Sequence, residues 1–383
     1  MPITEIETIE ELERHLAAGK PLRDVVVQGL DLTRISDLLD AADLSGAVFL
    51  GSELAASTYA LACANGAVIF RPPVDVPFAP FRNALYTPEE LFAGFDPARP
   101  HTYNDTLDER VYRHFSAMKG DSILESLSCR LHDHAVTDAL EEKIEGRKVV
   151  AIMGGHGMRR TETRYRDVAL IAKSLTERGM LMTSGGGPGA MEATHLGAWF
   201  AHRNIADLDA ALEMLSSTPG FEPREAWLST AMEVTDRFPL RANASGRLPD
   251  SLGIPTWLYG HEPPTVFATD IAKYFANSVR EEGLLAIATN GVVFSPGSAG
   301  TIQEIFQDAA QNHYRSYGNP APMVFLGEDY WRVDKPVFPL LTQLAAGNDY
   351  AALIHITDDA EAAVAHILAF AAERELEGDA ARS

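Results

Sequence analysis

Two glycine-rich turns about a hundred residues apart constrain this chain more than anything else in it. Residues 184–192 read Ser-Gly-Gly-Gly-Pro-Gly-Ala-Met-Glu, and residues 295–304 read Ser-Pro-Gly-Ser-Ala-Gly-Thr-Ile-Gln-Glu. Each follows an apolar run of strand character and opens a stretch of helical character. Glycines let a backbone approach a ligand closely, and the free N–H groups of a helix N-terminus face an anion. One such turn is common in α/β proteins. Two of them, the second closing on Glu304 in its first helical turn, point to a phosphate cradle at a sheet edge.

Strands alternating with helices predict an α/β fold, with a doubly wound (Rossmann-like) parallel sheet core and a smaller N-terminal α/β accessory domain. The accessory domain is expected over 1–100, a helical connection over 101–147, the nucleotide-binding core over 148–371 and a polar tail over 372–383. In the first domain the periodicity predicts a helix over 6–18 and strands at 25–27, 47–50 and 67–70. In the core it predicts strands at 149–153, 180–183, 256–259, 291–295 and 323–326. Helices are expected at 165–178, 189–202, 271–282 and 302–313, with 205–236 helical and loop-like. Ligands of such sheets sit outside the carboxyl ends of the strands, where the glycine turns gather.

The 383 residues are 46% hydrophobic and carry a net charge of -22, enough apolar content for a sizeable core. An acidic surface of this kind argues against nucleic acid, whose binding rests on many Lys and Arg contacts to phosphate. A small phosphorylated ligand needs only a local positive pocket. Cys63 and Cys129 suggest neither a disulfide framework nor a metal site, and the 12 histidines offer no pair at metal-ligand spacing, so no metal is expected. The stretch MPITEIETIEELERHL is acidic and lacks an apolar signal core, and no apolar run is long enough to span a bilayer. The expectation is a cytoplasmic protein without a membrane partner.

Several residues are candidates for chemistry. Gly154 and Gly155, in Gly-Gly-His-Gly after the 149–153 strand, form either a third loop at the same edge or a plain tight turn. Gly185, Gly186, Gly187, Gly189, Met191 and Glu192 belong to the first glycine turn, and Pro296, Gly297, Ser298, Ala299, Gly300 and Thr301 to the second. The Thr301 hydroxyl can donate to a phosphate that the 297–301 N–H groups surround. Arg159, Arg160, Arg164 and Arg166 either line an anion pocket or form a solvated helix face. Glu304 would repel a phosphate, so it makes more sense facing a sugar, where a carboxylate stabilises developing oxocarbenium charge. The plainer alternative is a glutamate compensating the helix dipole. Arg280 is a partner for a ligand or for Glu304, or else a surface arginine near a helix end. The loop His261-Glu-Pro-Pro264 either caps the site or is a structural turn.

These motifs resemble the Lonely Guy family, long labelled "possible lysine decarboxylase", whose hallmark is PGGxGTxxE preceded by a GGGxxGxM turn. Here the first motif stands as Gly185-Gly-Gly-Pro-Gly-Ala-Met191, one residue shorter between the glycines. The second stands as Pro296-Gly-Ser-Ala-Gly-Thr-Ile-Gln-Glu304, with Ser298 in place of the second glycine. The family's arginine sits in M-x-x-R-K before the second motif; Arg280 lies sixteen residues before Pro296, without the methionine and lysine. The resemblance covers roughly 148–326. It implies hydrolysis of the N-glycosidic bond of nucleoside 5'-monophosphates to free base and ribose 5-phosphate, with Glu304 and Arg280 as catalytic residues. It also implies no metal or redox cofactor and a homodimer or higher homo-oligomer. The extra N-terminal domain fits the longer bacterial nucleosidase branch of that family.

An alternative of another class is a catalytically silent carrier that binds a nucleotide or phosphorylated cofactor, motivated by Ser298 and the incomplete arginine signature. A nicotinamide oxidoreductase has only fold analogy behind it, because neither turn is GxGxxG. Lysine decarboxylation lacks a lysine-centred cofactor site.

Overall fold

The computed structural model describes residues 4–118, 122–259 and 262–382. Two compact units divide the chain: Met1–Leu85 with Ser116–Lys143, and Tyr86–Phe115 with Ile144–Ser383. The stretch expected as a helical connection is therefore shared out. Helix Ile123–Ile144 falls almost wholly in the small unit, while 86–115 belongs to the large one.

The small unit holds a parallel sheet of β1 (Thr4–Ile6), β2 (Val25–Gln28), β3 (Val48–Leu50) and β4 (Val68–Phe70), in that order. Its core is Leu12, Val25, Val27, Leu39, Phe49 and Ala62, all buried. The first helix, expected from residue 6, begins at Ile9. The Thr8 hydroxyl accepts the Glu11 N–H at 3.2 Å and fixes the cap there. Residues 4–6 are instead extended and pair with β2.

The large unit holds β5 (Val149–Met153), β6 (Leu181–Ser184), β7 (Ser251–Gly253), β8 (Asp270–Ile271), β9 (Val292–Phe294), β10 (Met323–Leu326) and β11 (Ile354–Thr357). Their order is β11-β10-β9-β5-β6-β7-β8, with every pair parallel. The chain starts in the middle at β5, builds outward to β8, then returns to the other side of β5 and builds out to β11. This is the doubly wound, Rossmann-like core, and its strand order reverses between β5 and β9. Strands β5, β9 and β10 are buried throughout, which is why they read as unbroken apolar runs.

Other expectations fail for identifiable reasons. Residues 256–259 are not a strand; Thr256 makes only an isolated bridge to Tyr274. The strand lies upstream at β7, whose Ser-Leu-Gly offers no apolar run. Residue 271 belongs to β8, and the helix expected there begins at Asn277. β11 is a strand that the sequence did not predict. The helix Ala360–Arg382 runs on through the expected polar tail. Residues 205–236 resolve into helices Ile205–Leu215 and Arg224–Arg237. No described helix is long and apolar enough to cross a membrane.

Candidate functional site

Three turns meet at the carboxyl ends of β5, β6 and β9, beside the point where the strand order reverses. The 154–157 turn after β5 is the third loop that the sequence left open. Its Gly155 N–H donates to Pro296 O at 3.1 Å, and Ala190 N–H donates to Gly155 O at 3.2 Å. Gly155 thus ties the other two turns together. A Cβ at Gly154 would lie 2.0 Å from Ser295 Oγ, and one at Gly297 would lie 2.0 Å from Thr301 Oγ1. Both positions exclude any larger residue.

A cleft of about 770 Å³ opens above these turns. Gly154, Gly155, Met191, Arg280, Pro296, Gly297, Ser298, Ala299, Gly300, Thr301 and Glu304 all line it, so most of the expected site residues converge. Helix Ala299–Tyr314 points its N-terminus at the cleft, and its first intrahelical bond runs from Ile302 N–H to Ser298 O. The N–H groups ahead of that bond have no intrahelical acceptor and suit an anion. A Cβ added at Gly300 meets nothing within 4 Å, so the protein itself does not demand glycine there.

Ser298 stands at φ -109°, outside the left-handed region, so a serine in place of the glycine costs no backbone strain. Its hydroxyl accepts from Lys335 Nζ at 2.8 Å, and the same ammonium donates to Gly297 O at 3.2 Å. The Tyr330 hydroxyl donates to Gly297 O at 2.5 Å. Lys335 and Tyr330 were not legible as site residues. Each is a single polar residue more than thirty positions downstream of Gly297, with no motif around it.

Glu304 sits one helical turn behind Thr301, its carboxylate 3.9 Å from Arg280 Nη1 and 16% exposed. Burial pushes its carboxyl up to about 7; Arg280 opposes that rise, while Glu281 and Glu262 add to it. Arg280 lies in the first turn of helix Asn277–Ile287 and is buried, not a surface residue near a helix end. Its Nε is buried without a hydrogen-bond partner, an orphaned donor of the kind a bound ligand satisfies. Glu162, Glu262, Glu281 and His156 also line the cleft. The Glu281 carboxylate accepts from Asn277 Nδ2 at 2.7 Å and from Gln303 Nε2 at 2.8 Å.

The remaining candidates do structural work. Gly185, Gly186, Gly187 and Gly189 do not line the cleft. A Cβ at Gly185 would strike Met191 Sδ at 2.6 Å, and Gly186 (φ +70°) and Gly189 (φ +71°) need their left-handed backbone. Beneath this turn Ser184 Oγ meets His195 Nε2 at 2.9 Å, and His195 Nδ1 meets Ser251 Oγ at 2.9 Å. Burial drops that histidine to about 3, so it bridges the strands as a neutral ring. Glu192 is fully buried and accepts from Arg160 at 2.9 and 2.5 Å and from the Tyr165 hydroxyl at 2.8 Å. Arg164 pairs with Asp167 and Asp358, and Arg166 with Asp209. The arginine run is thus largely matched to carboxylates distant in sequence. Of the 261–264 loop, His261 lies outside the described residues; Glu262 lines the cleft.

Away from the cleft, carboxylate oxygens of Glu5, Glu7 and Asp138 lie within 4.8 Å of one another. Burial first and Glu142 second push Glu7 up to about 7. Nothing else at that cluster points to a cation.

No protein-family model and no curated protein matches this sequence. Solved structures do match it. The Moco carrier protein from Chlamydomonas reinhardtii is 16% identical, covering 59% of this chain and 99% of its own, with a TM-score of 0.37. The molybdenum cofactor binding protein from the phototrophic bacterium Rippkaea orientalis is 14% identical, covering 58% and 96%, also at a TM-score of 0.37. Likenesses of this size carry no argument about function.

Proposed function

We propose that this chain hydrolyses the N-glycosidic bond of nucleoside 5'-monophosphates, releasing free base and ribose 5-phosphate, as its resemblance to the Lonely Guy family implies. One observation carries the reading. Glu304 is held directly behind the 297–301 turn, at the switch point of the sheet, facing buried Arg280, whose Nε has no hydrogen-bond partner. In this reading the 5'-phosphate rests on the N–H groups of 297–301, with the Thr301 hydroxyl and the Lys335 ammonium beside it. The ribose then lies over Glu304. As the C1'–N bond lengthens, positive charge grows on the ring, and the carboxylate stabilises it more than the ground state. Arg280 holds Glu304 in place and gives its remaining donor to the ligand.

A test is product formation from AMP, GMP, IMP, CMP and UMP. We expect base and ribose 5-phosphate in equal amounts, and a loss of about 100-fold or more in kcat for Glu304→Gln. Because Glu304 must be ionised, kcat/KM rises with pH through about 7, and this limb flattens in the variant. Equal turnover by wild type and variant would end the proposal.

A second reading is a carrier that holds a phosphorylated ligand without cleaving it. The raised carboxyl of Glu304 favours it, because a protonated carboxyl donates a hydrogen bond instead of stabilising a cation. The names of the similar structures describe cofactor carriage by those proteins, but this reading stands on Glu304 alone. Saturable, stoichiometric nucleotide binding without product would select it.

A further inference from the structure

A carboxylate under the ribose answers only half of the chemistry. A purine leaves as a poor anion unless a ring nitrogen receives a proton as the bond breaks. Among the groups lining the cleft, Glu162 accepts the Arg159 N–H at 2.8 Å, Glu281 is held by two amides, and Glu304 faces Arg280. His156 lines it as well, paired with Glu262. It stands on the turn after β5, 44% exposed, with Nδ1 3.5 Å from Glu262 Oε1 and its ring edge-on to Phe221 at 5.8 Å. Glu262 is only 14% exposed, and its charge is felt at Glu304. It therefore lies close enough to both groups to link them.

We propose that His156, oriented by Glu262, is the acid that protonates the departing base. This inference rests on the nucleotide-hydrolase reading above. Glu262 Oε1 faces Nδ1, so the proton handed to the base is the one on Nε2. The C1'–N bond breaks with its electron pair going to the base, and the Nε2 proton goes to a base nitrogen. Water adds to C1', and the proton it loses restores the imidazolium. The sum is nucleotide plus water giving base plus ribose 5-phosphate.

Leaving-group chemistry tests this without relying on activity loss alone. Nicotinamide mononucleotide and 7-methyl-GMP carry cationic bases that depart neutral and need no proton. Wild type, His156→Gln, His156→Asn and Glu262→Gln are assayed on AMP and on whichever cationic substrate wild type cleaves faster. The expected result is a loss of about 100-fold on AMP for both histidine variants, the usual scale of general acid catalysis. Turnover of the cationic substrate stays near the wild-type rate, which also shows that the variants are folded. Glu262→Gln follows the same pattern with a smaller loss. Equal losses on both substrates, or no loss on AMP, would overturn the assignment. If wild type cleaves neither substrate, the hydrolase reading itself fails and this inference falls with it.

Discussion

The two glycine turns look like twins in the sequence and are opposites in the structure. In the 185–189 turn the glycines serve the protein. A Cβ at Gly186 would press on Pro255 at 2.9 Å, and one at Gly189 on Gly155 O at 2.4 Å. The turn at 297–301 closes on itself only at Gly297, while Ser298, Ala299 and Gly300 are exposed to the cleft. The first turn is packing that lets three strands come together, and the second is surface open to the cleft. Glycine content alone does not distinguish a binding loop from a close-packed one; what a Cβ would touch does.

That contrast can be broken most directly by two alanines. Gly189→Ala should destabilise the protein by more than about 2 kcal/mol, because positive-φ strain adds to the clash with the Gly155 carbonyl, read as a lower urea midpoint. Gly300→Ala should leave stability equal or raise it by up to about 1 kcal/mol, since alanine is the better helix former. Nucleotide turnover should nonetheless fall, because the added methyl projects into open space beside the proposed phosphate seat. Equal effects from the two substitutions would erase the distinction.

The electrostatics of the two turns also differ. The packed turn rests on a neutral histidine, whereas the helix behind the open turn carries Glu304 and, one turn on, buried Asp308, which burial pushes up to about 8. One Asp308 oxygen has no partner. A raised carboxyl adds stability that is fully present below the unfolded value near 4 and is lost as pH rises through 8. Asp308→Asn should therefore gain thermal stability over wild type from pH 4 upward, with the gain levelling off beyond pH 8. A gain that is flat with pH would show that Asp308 does not titrate on folding.

A smaller effect should come from Lys335→Met. If Lys335 neutralises the phosphate at the open turn, KM for AMP rises about tenfold, or roughly 1.4 kcal/mol, while any turnover of adenosine is unchanged. An unaltered KM for AMP would leave the Lys335 bond to Ser298 as loop support only.

What the sequence could convey follows from how each feature is built. β5 and β10 were legible to the residue because strands buried on both faces are continuous apolar runs. β7 and β8 were not, since Ser-Leu-Gly and Asp-Ile are too short to carry a period. Glu304 and the 296–301 turn were legible because a contiguous motif encodes them. Arg280 was placed beside Glu304 but at the wrong end of its helix, since 271–275 is buried chain outside any helix. His156 stood in the Gly-Gly-His-Gly turn without a signal of its own, and Lys335 and Tyr330 had no pattern, because only the fold brings such isolated polar residues to the 297–298 turn. The arginine run misled for the converse reason: its carboxylate partners lie as far off as Asp358.

Gly155 donates to one turn and accepts from the other, so three loops at the sheet edge are joined through a single peptide unit. Tyr259 and Glu262, which also line the cleft, come from a different segment of chain. Divergence can therefore alter that segment while the joined turns stay untouched. A lineage built on this plan has a fixed handle and an interchangeable jaw.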